Sequence, residues 1–182
     1  SLVTGQPVTK DLATAVPATI EIAICAIILS LAVSLVLGTL AAYRRGLVTD
    51  QIVRIVTLIG LSVPTFWLAL VSFYVFFLNL RIAPGSGRVS PSIIPPPRVT
   101  GLYTIDYLLD GDGVGWADAM AHLALPVMVL SLVTIGLLTR FIRTSVLEVL
   151  ASDYVRAARA KGLPALRVIV DYVLRGAALP VL

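Results

Sequence analysis

The stretch PATIEIAICAIILSLAVSLVLGTLAAY, residues 17–43, contains one charged side chain, Glu21. An apolar run of about 20 residues is long enough to cross the hydrocarbon core of a bilayer as a helix. The run predicts a membrane span that begins at Pro17, which suits a first helical turn, and ends before the cations Arg44 and Arg45. Glu21 lies about one turn from the predicted outer end, so we expect a solvated interfacial side chain there.

Small residues recur at every fourth position of this span. Such a stripe allows a second helix to approach closely within a membrane. The spacing indicates either helix packing or the lining of a polar translocation path, and the candidates for the second role are Ser30, Ser34 and Gly38. The full stripe is Ala26, Ser30, Ser34, Gly38 and Ala42.

The composition excludes a soluble globular chain. Apolar residues make up 58% and charged residues 13% of the 182 residues, and the mean hydropathy is +0.99, whereas a soluble domain carries about 25% charge. The net charge of +4 does not indicate nucleic-acid binding, because the basic residues flank apolar runs, as membrane topology requires. Cys25 is the single cysteine, so no disulfide forms within the chain.

Two further spans follow in the sequence, at about 55–80 and 122–138. In the second span Gly60 and Pro64 predict a bend, because proline removes a backbone hydrogen bond. The candidates for a translocation path or helix packing in this span are Ser62, Pro64 and Thr65. The third span is expected to continue as a helix to about Leu150. His122 is interpreted as an interfacial histidine, because no metal-ligating partner accompanies it.

The segment 81–116 is rich in Pro and Gly and predicts a loop, with a short helix at 103–109 and a turn at Asp110–Gly113. Basic residues set its side of the membrane. Ten lie in 44–54 and 140–175, against four elsewhere, which predicts that those two segments are cytoplasmic and that 81–116 faces outward. The ten are Arg44, Arg45, Arg54, Arg140, Arg143, Arg156, Arg159, Lys161, Arg167 and Arg175.

The segment SDYVRAARAKGLP, residues 152–164, predicts a short helix at 153–161. Ser152 suits the N-cap, Gly162 suits the end of the helix, and Pro164 can start the next one. Helical spacing places one aromatic residue, two alanines and a lysine on one side, flanked by two arginines. This surface suits either the groove of another protein or an anionic lipid surface. The residues are Asp153, Tyr154, Arg156, Ala157, Ala158, Arg159 and Lys161, with Gly162 at the end.

The segment DYVRAARAKGL with LRGAALPVL further on resembles the EAA-type cytoplasmic loop of importer permeases in the ABC transporter superfamily, and most closely their dipeptide/oligopeptide/nickel branch. Two departures are that Arg156 stands where the general motif has glutamate and that Leu179-Pro180 falls late. Both are usual in the peptide branch. Further matching blocks are GQPVT (5–9), PATIEIA (17–23), AAYRRG (41–46), GLSVPTFWLAL (60–70) and TSVLEVLASDYVRAARAKGLP (144–164).

The resemblance implies an all-α, polytopic bundle with the type I importer (MetI-like) permease fold, in the bacterial inner membrane. It implies that the loop at 151–164 carries the coupling helix, which docks on a separate ATPase subunit. The other implied partners are a second permease subunit and an external solute-binding protein. ATP would be used by the partner, because the chain has no G-x-x-x-x-G-K-[ST] loop. Residues 1–182 are expected to be a partial transmembrane domain, with another span starting near 176.

Two other classes of function compete with this one. An ATP-independent secondary transporter or channel needs ionisable groups deep in its spans, and the central spans here contain none. An intramembrane enzyme needs a convergent set of catalytic residues or a metal site, which one histidine and no acid deep in a span do not provide. Neither the solute nor the residues that contact it follow from the sequence. Peptide is the default by resemblance, with nickel, glutathione, opines and sugars also open.

Overall fold

The computed structural model describes residue 5 and residues 7–164 and 167–174. The described residues form helices and connecting segments, with no β-strand among them. Six α-helices are present: α1 (Val8–Tyr43), α2 (Val48–Ser62), α3 (Thr65–Phe73), α4 (Tyr103–Asp110), α5 (Gly113–Leu150) and α6 (Asp153–Ala160). Two π-helical segments follow α3 and α6, at Tyr74–Asn79 and Val168–Leu174. The predicted all-α fold class is confirmed.

The chain divides into two compact units. The first unit contains the start of α1, α3 with its π-helical extension, the segment 81–112 and the first part of α5. The second unit contains the remainder of α1, α2, the remainder of α5, and α6 with the segment after it. In sequence the first unit takes Ser1–Leu29 and Pro64–Ser131, and the second takes Ser30–Val63 and Leu132–Leu182.

The first helix begins nine residues earlier than predicted, and Pro17 lies inside it. A proline within a helix has no N–H for the carbonyl four residues back. Here that carbonyl belongs to Ala13, and Nη2 of Arg98 donates to its oxygen at 2.6 Å. A side chain distant in sequence therefore supplies the missing hydrogen bond, and α1 continues through the proline instead of starting at it. The predicted end at Tyr43 is confirmed.

The predicted second span is two helices rather than one bent helix. Val63 ends α2 with extended backbone angles (φ −88°, ψ 126°), and Pro64 precedes α3 with φ −60° and ψ 132°. A residue before proline is disfavoured in the helical region, and proline cannot donate the bond that would continue the helix. The chain is therefore broken at this point, where the sequence predicted only a bend.

The segment 81–102 contains no helix, and the predicted short helix after it is present as α4. The predicted turn between α4 and α5 is also present. Gly111 ends α4 in the left-handed conformation, and Oδ1 of Asp112 accepts hydrogen bonds from the N–H groups of Val114 and Gly115 at 3.0 Å each. This side-chain cap starts α5 at Gly113, so the predicted loop ends at residue 112 rather than 116.

The fifth helix runs unbroken from Gly113 to Leu150. The helix was predicted to continue beyond the third span to about Leu150, and it does. Its start lies at 113 rather than at the predicted 122. By length and composition, α1 and α5 are each able to cross a membrane, and the bent pair Val48–Ser62 and Thr65–Asn79 makes a third candidate if it is one span. The span predicted to begin near 176 lies outside the described residues.

Candidate functional site

The short helix α6 is delimited at both ends by specific backbone interactions. Ser152 has the extended conformation of an N-cap, but its hydroxyl donates back to the Val149 carbonyl at 2.5 Å instead of capping the helix. At the other end Gly162 is left-handed, with φ +77°. The N–H of Gly162 bonds to Arg159 O at 2.9 Å, and the N–H of Leu163 bonds to Ala158 O at 3.4 Å. This pair of bonds is the Schellman arrangement, which fixes where α6 ends.

One side of α6 is buried in the second unit. Val155 is fully buried and Ala158 is 3% exposed. They form a core cluster with residues of α1, α5 and the segment after α6, namely Ala42, Ile142, Val146 and Val168. The cluster attaches α6 to the end of α5, because close-packed apolar side chains leave little freedom for one element to move alone.

The opposite side of α6 is uncovered. The prediction that Ala157 and Ala158 share one outward surface is wrong, because only Ala157 is exposed. The two side chains point about 100° apart around the helix, and that of Ala158 packs in the core. Arg156 and Asp153 form an exposed pair at 3.5 Å, which contributes little stability in water. The exposed candidates are Asp153, Tyr154, Arg156, Ala157, Arg159 and Lys161.

A buried ion pair connects α2 to α5 beside this core. Asp50 is 2% exposed and accepts two hydrogen bonds from Arg143, from Nε at 2.8 Å and from Nη2 at 2.9 Å. It also accepts the N–H of Gly46 at 3.1 Å. The prediction from sequence counted Arg143 only as a cytoplasmic charge and did not consider Asp50. The missed signal was a lone acid just before the predicted span 55–80, in a segment that otherwise carries arginines.

The small-residue stripe of α1 is buried along its length. In the second unit, Ser34 Oγ donates to Ile135 O at 3.3 Å. A Cβ at Gly38 would lie 2.8 Å from Ile142 Cγ2 and 3.1 Å from Thr139 O, so only glycine allows this approach. In the first unit, Ser131 Oγ donates to Ala26 O at 3.3 Å. The contacts are those of helix packing within this chain. Ser62, Pro64 and Thr65 are exposed, and Ser62 Oγ donates to Leu58 O at 2.9 Å.

Glu21 is not a solvated interfacial side chain, as predicted, but 4% exposed within the first unit. Its Oε2 accepts from Arg88 Nη2 at 2.8 Å, and its Oε1 accepts from the N–H and the hydroxyl of Thr104 at 2.7 and 2.6 Å. The Arg88 guanidinium also lies 3.6 Å from the centre of the Tyr103 ring. Glu21 is bound by groups from the irregular segment (residues 81–102) and from α4, whose placement the sequence did not indicate.

Two more acids hold the irregular segment in place. Asp118 accepts from the N–H and the hydroxyl of Ser90, at 2.6 and 2.7 Å. Burial acts to raise the pKa of Asp106, but hydrogen bonds from the hydroxyl and N–H of Thr100 and the N–H of Gly101 outweigh it and hold that pKa below its usual value. His122, predicted to be interfacial, is buried, and its Nδ1 lies 2.8 Å from Asp118 O.

No group of three or more His, Cys, Asp or Glu side chains able to hold a metal ion occurs among the described residues. The structure brings together Asp50, Arg143 and the core beneath α6, and leaves the outer side of α6 open. One side of α6 is therefore packed against α5, a long helix able to cross a membrane, and its other side is exposed.

Comparison with known proteins supports the resemblance seen in the sequence. Residues 34–182 match the family model described as "binding-protein-dependent transport system inner membrane component". The "probable D,D-dipeptide transport system permease protein DdpB" of Escherichia coli K12 is 42% identical over 180 residues, covering 99% of this chain and 53% of that protein.

Two further relatives are also named as permease proteins of peptide transport systems. The "di/tripeptide transport system permease protein DppB" of Pseudomonas aeruginosa UCBPP-PA14 is 39% identical over 182 residues, covering 100% of the chain and 54% of the relative. The "dipeptide transport system permease protein DppB" of Escherichia coli K12 is 38% identical over 177 residues, covering 96% and 52%. The chain spans about half the length of the curated relatives it matches.

Proposed function

The chain belongs to the family of binding-protein-dependent transport system inner membrane components, and on that premise we propose that it is part of the membrane-spanning permease subunit of an ATP-driven importer. Peptides are the proposed solute, since the relatives described above are named as dipeptide, D,D-dipeptide or di/tripeptide permeases. The proposed partners are a second permease subunit, cytoplasmic ATPase subunits and an external solute-binding protein.

The observation that carries the proposal is the two-sided burial of α6. Val155 and Ala158 lie in the chain's own core, while Tyr154, Ala157 and Lys161 are exposed on the other side. A short helix that is firmly attached on one side and open on the other suits insertion into a groove of a second protein. We propose that α6 is the coupling helix and that its open side contacts the ATPase.

The core beneath α6 offers a route for movement. A displacement of α6 by the ATPase would act on Ile142 and Val146 of α5 through Val155 and Ala158. It would act on α1 through Ala42 in the same cluster. Close-packed interiors transmit such strain rather than absorb it. In this proposal the chain itself performs no hydrolysis, because its sequence contains no phosphate-binding loop of the Walker type.

An ATP-independent carrier gains no support from the buried acids. Glu21 is ion-paired with Arg88 and accepts three hydrogen bonds, and Asp50 is ion-paired with Arg143 and also accepts three. A carrier that couples transport to ions needs an ionisable group able to exchange its ligand or proton with a path. Both carboxylates are instead engaged in structural contacts within the chain.

The test is the substitution Ala157→Glu in the assembled transporter. An unpaired charge buried at a protein contact costs several kcal/mol, and roughly 3 kcal/mol would weaken ATPase association about 150-fold. We expect the variant to insert in the membrane normally but to lose co-purification of the ATPase and solute uptake. The matched control is Ala151→Glu, the same change at an exposed residue outside α6, which should retain both.

Ala158→Glu is not an equivalent test, because it places the charge in the chain's own core and should reduce the amount of folded protein. If Ala157→Glu instead retains the ATPase and normal uptake, the docking assignment is wrong. Loss of binding to anionic vesicles with the ATPase retained would indicate that α6 lies on the lipid surface.

A further inference from the structure

A cavity of about 390 Å³ lies between α2 and α5 in the second unit. The two helices touch on either side of it. At one end a Cβ on Gly136 would lie 3.0 Å from Thr57 O and 2.9 Å from Leu61 Cγ, which marks a close approach. At the other end Arg143 holds Asp50. Arg143 follows Gly136 by seven positions on α5, a rise of roughly 10 Å, and the helices separate between these two contacts.

The lining of the cavity is cationic. Arg54 of α2 and Arg140 of α5 both line it, and neither forms an ion pair with any residue that the structure describes. Arg143 also lines the cavity, but its charge is balanced by Asp50. Arg54 also interacts electrostatically with Asp50, but three arginines against one acid leave the site with an excess of positive charge. The guanidinium groups of Arg54 and Arg140, on facing helices, are suited to hydrogen-bond an anionic oxygen cluster.

Apolar side chains also line the cavity and continue along α2. Val53, Leu58 and Leu61 line the cavity on α2, and Leu58 is more than half exposed. A ligand for this site carries a negative charge at one end and an apolar body at the other. The site also lies between the two segments that the charge distribution places on the cytoplasmic side, where the membrane surface is anionic.

We propose that this cavity binds the phosphate head group of an anionic phospholipid from the cytoplasmic leaflet. Arg54 and Arg140 hold the phosphate oxygens, and the acyl chains follow Leu58 and Leu61. The bound lipid fills the space between α2 and α5. The assignment rests on the membrane location of the chain and is independent of the transported solute and of the ATPase contact at α6.

The test measures lipid binding to the full-length permease in its purified, delipidated complex by native mass spectrometry during titration with phosphatidylglycerol. The pocket variant Arg54→Gln with Arg140→Gln should bind the lipid about 25-fold more weakly, at about fivefold for each arginine. Arg44→Gln with Arg45→Gln removes the same charge from the same predicted face, outside the cavity, and should change the affinity less than twofold.

Several results would overturn the assignment. Absence of phosphatidylglycerol binding to the wild type, or equal affinity in the pocket variant and the Arg44/Arg45 control, excludes the cavity as a lipid site. Equal affinity for phosphatidylcholine and phosphatidylglycerol shows that the site does not recognise the negative charge of the lipid. Displacement of the lipid by millimolar inorganic phosphate identifies a site for a free anion instead.

Discussion

Arg143 holds both carboxylate oxygens of Asp50, with Nε donating to Oδ1 at 2.8 Å and Nη2 donating to Oδ2 at 2.9 Å. The pair links the first turn of α2 to α5. Arg143 directly follows Ile142, and Ile142 belongs to the core beneath α6. The bidentate geometry is the strongest form of such a contact. Movement of α6 would therefore act on a part of α5 that also holds α2.

We expect Arg143→Met to destabilise the protein by about 3–5 kcal/mol, because it leaves the carboxylate of Asp50 buried without its partner. Asp50→Asn with Arg143→Met should be less destabilising than the sum of the single changes, since no buried charge remains. Thermal denaturation in detergent measures the effect. Arg45→Met, at an exposed arginine, serves as the control and should stay within about 0.5 kcal/mol of wild type. Additive single and double variants would contradict the coupling.

Gly38→Ala should destabilise the contact between α1 and α5 by about 1–3 kcal/mol, as overpacking does. The new Cβ would meet Ile142 Cγ2 at 2.8 Å and its Cβ at 2.9 Å, and a β-branched side chain cannot rotate both away. Gly113→Ala is the matched control, because nothing lies within 4 Å of a Cβ there. The midpoint of thermal denaturation should fall for the first variant only, and equal midpoints would show that the helices separate freely.

Glu21→Ala should loosen the segment 81–102. Without the carboxylate, the N–H and hydroxyl of Thr104 and the guanidinium of Arg88 lose a buried acceptor. Limited trypsin digestion of right-side-out vesicles, read by mass spectrometry, should show faster cleavage after Arg88 and Arg98. Asp110→Ala, at an exposed acid nearby, should digest like the wild type. Unchanged cleavage in Glu21→Ala would mean that other contacts suffice to hold the segment.

Substitutions at Gly162 should rank by their tolerance of a left-handed backbone. Its φ of +77° ends α6, and nothing lies within 4 Å of a Cβ there, so only conformation is tested. We expect Gly162→Asn to be close to wild type, Gly162→Ala to cost about 1 kcal/mol, and Gly162→Val to cost more. Solute uptake for each ATP hydrolysed should follow the same order. Equal uptake by the asparagine and valine variants would show that the direction of α6 is unimportant.

The predicted membrane orientation has a direct chemical test. Single cysteines at the exposed residues Ser86 and Ala160, in a Cys25→Ala background, report the two sides. An impermeant thiol reagent on intact cells should label Ser86→Cys and spare Ala160→Cys, and permeabilised cells should label both. Labelling of Ala160→Cys alone in intact cells would show that the orientation is the reverse of the one predicted.

The sequence by itself determined the all-α class, the apolar helices and the bounds of α6 to within one residue. These properties are local: an apolar run, a serine before a helix and a glycine after it act through the backbone of their own neighbourhood. These local causes can be identified without knowing which helices pack against each other. The short helix α4 and the turn before α5 were predictable for the same reason.

Only the tertiary structure decided which polar residues are buried and what they bind. Pro17 lies within α1 because Arg98 supplies a donor to the carbonyl that the proline leaves free. Asp50 has its partner 93 positions away along the chain. Ala158 lies in the core although Ala157, its neighbour on the same predicted surface, does not. Each outcome depends on a distant element brought within hydrogen-bonding or van der Waals range, and local patterns do not encode that distance.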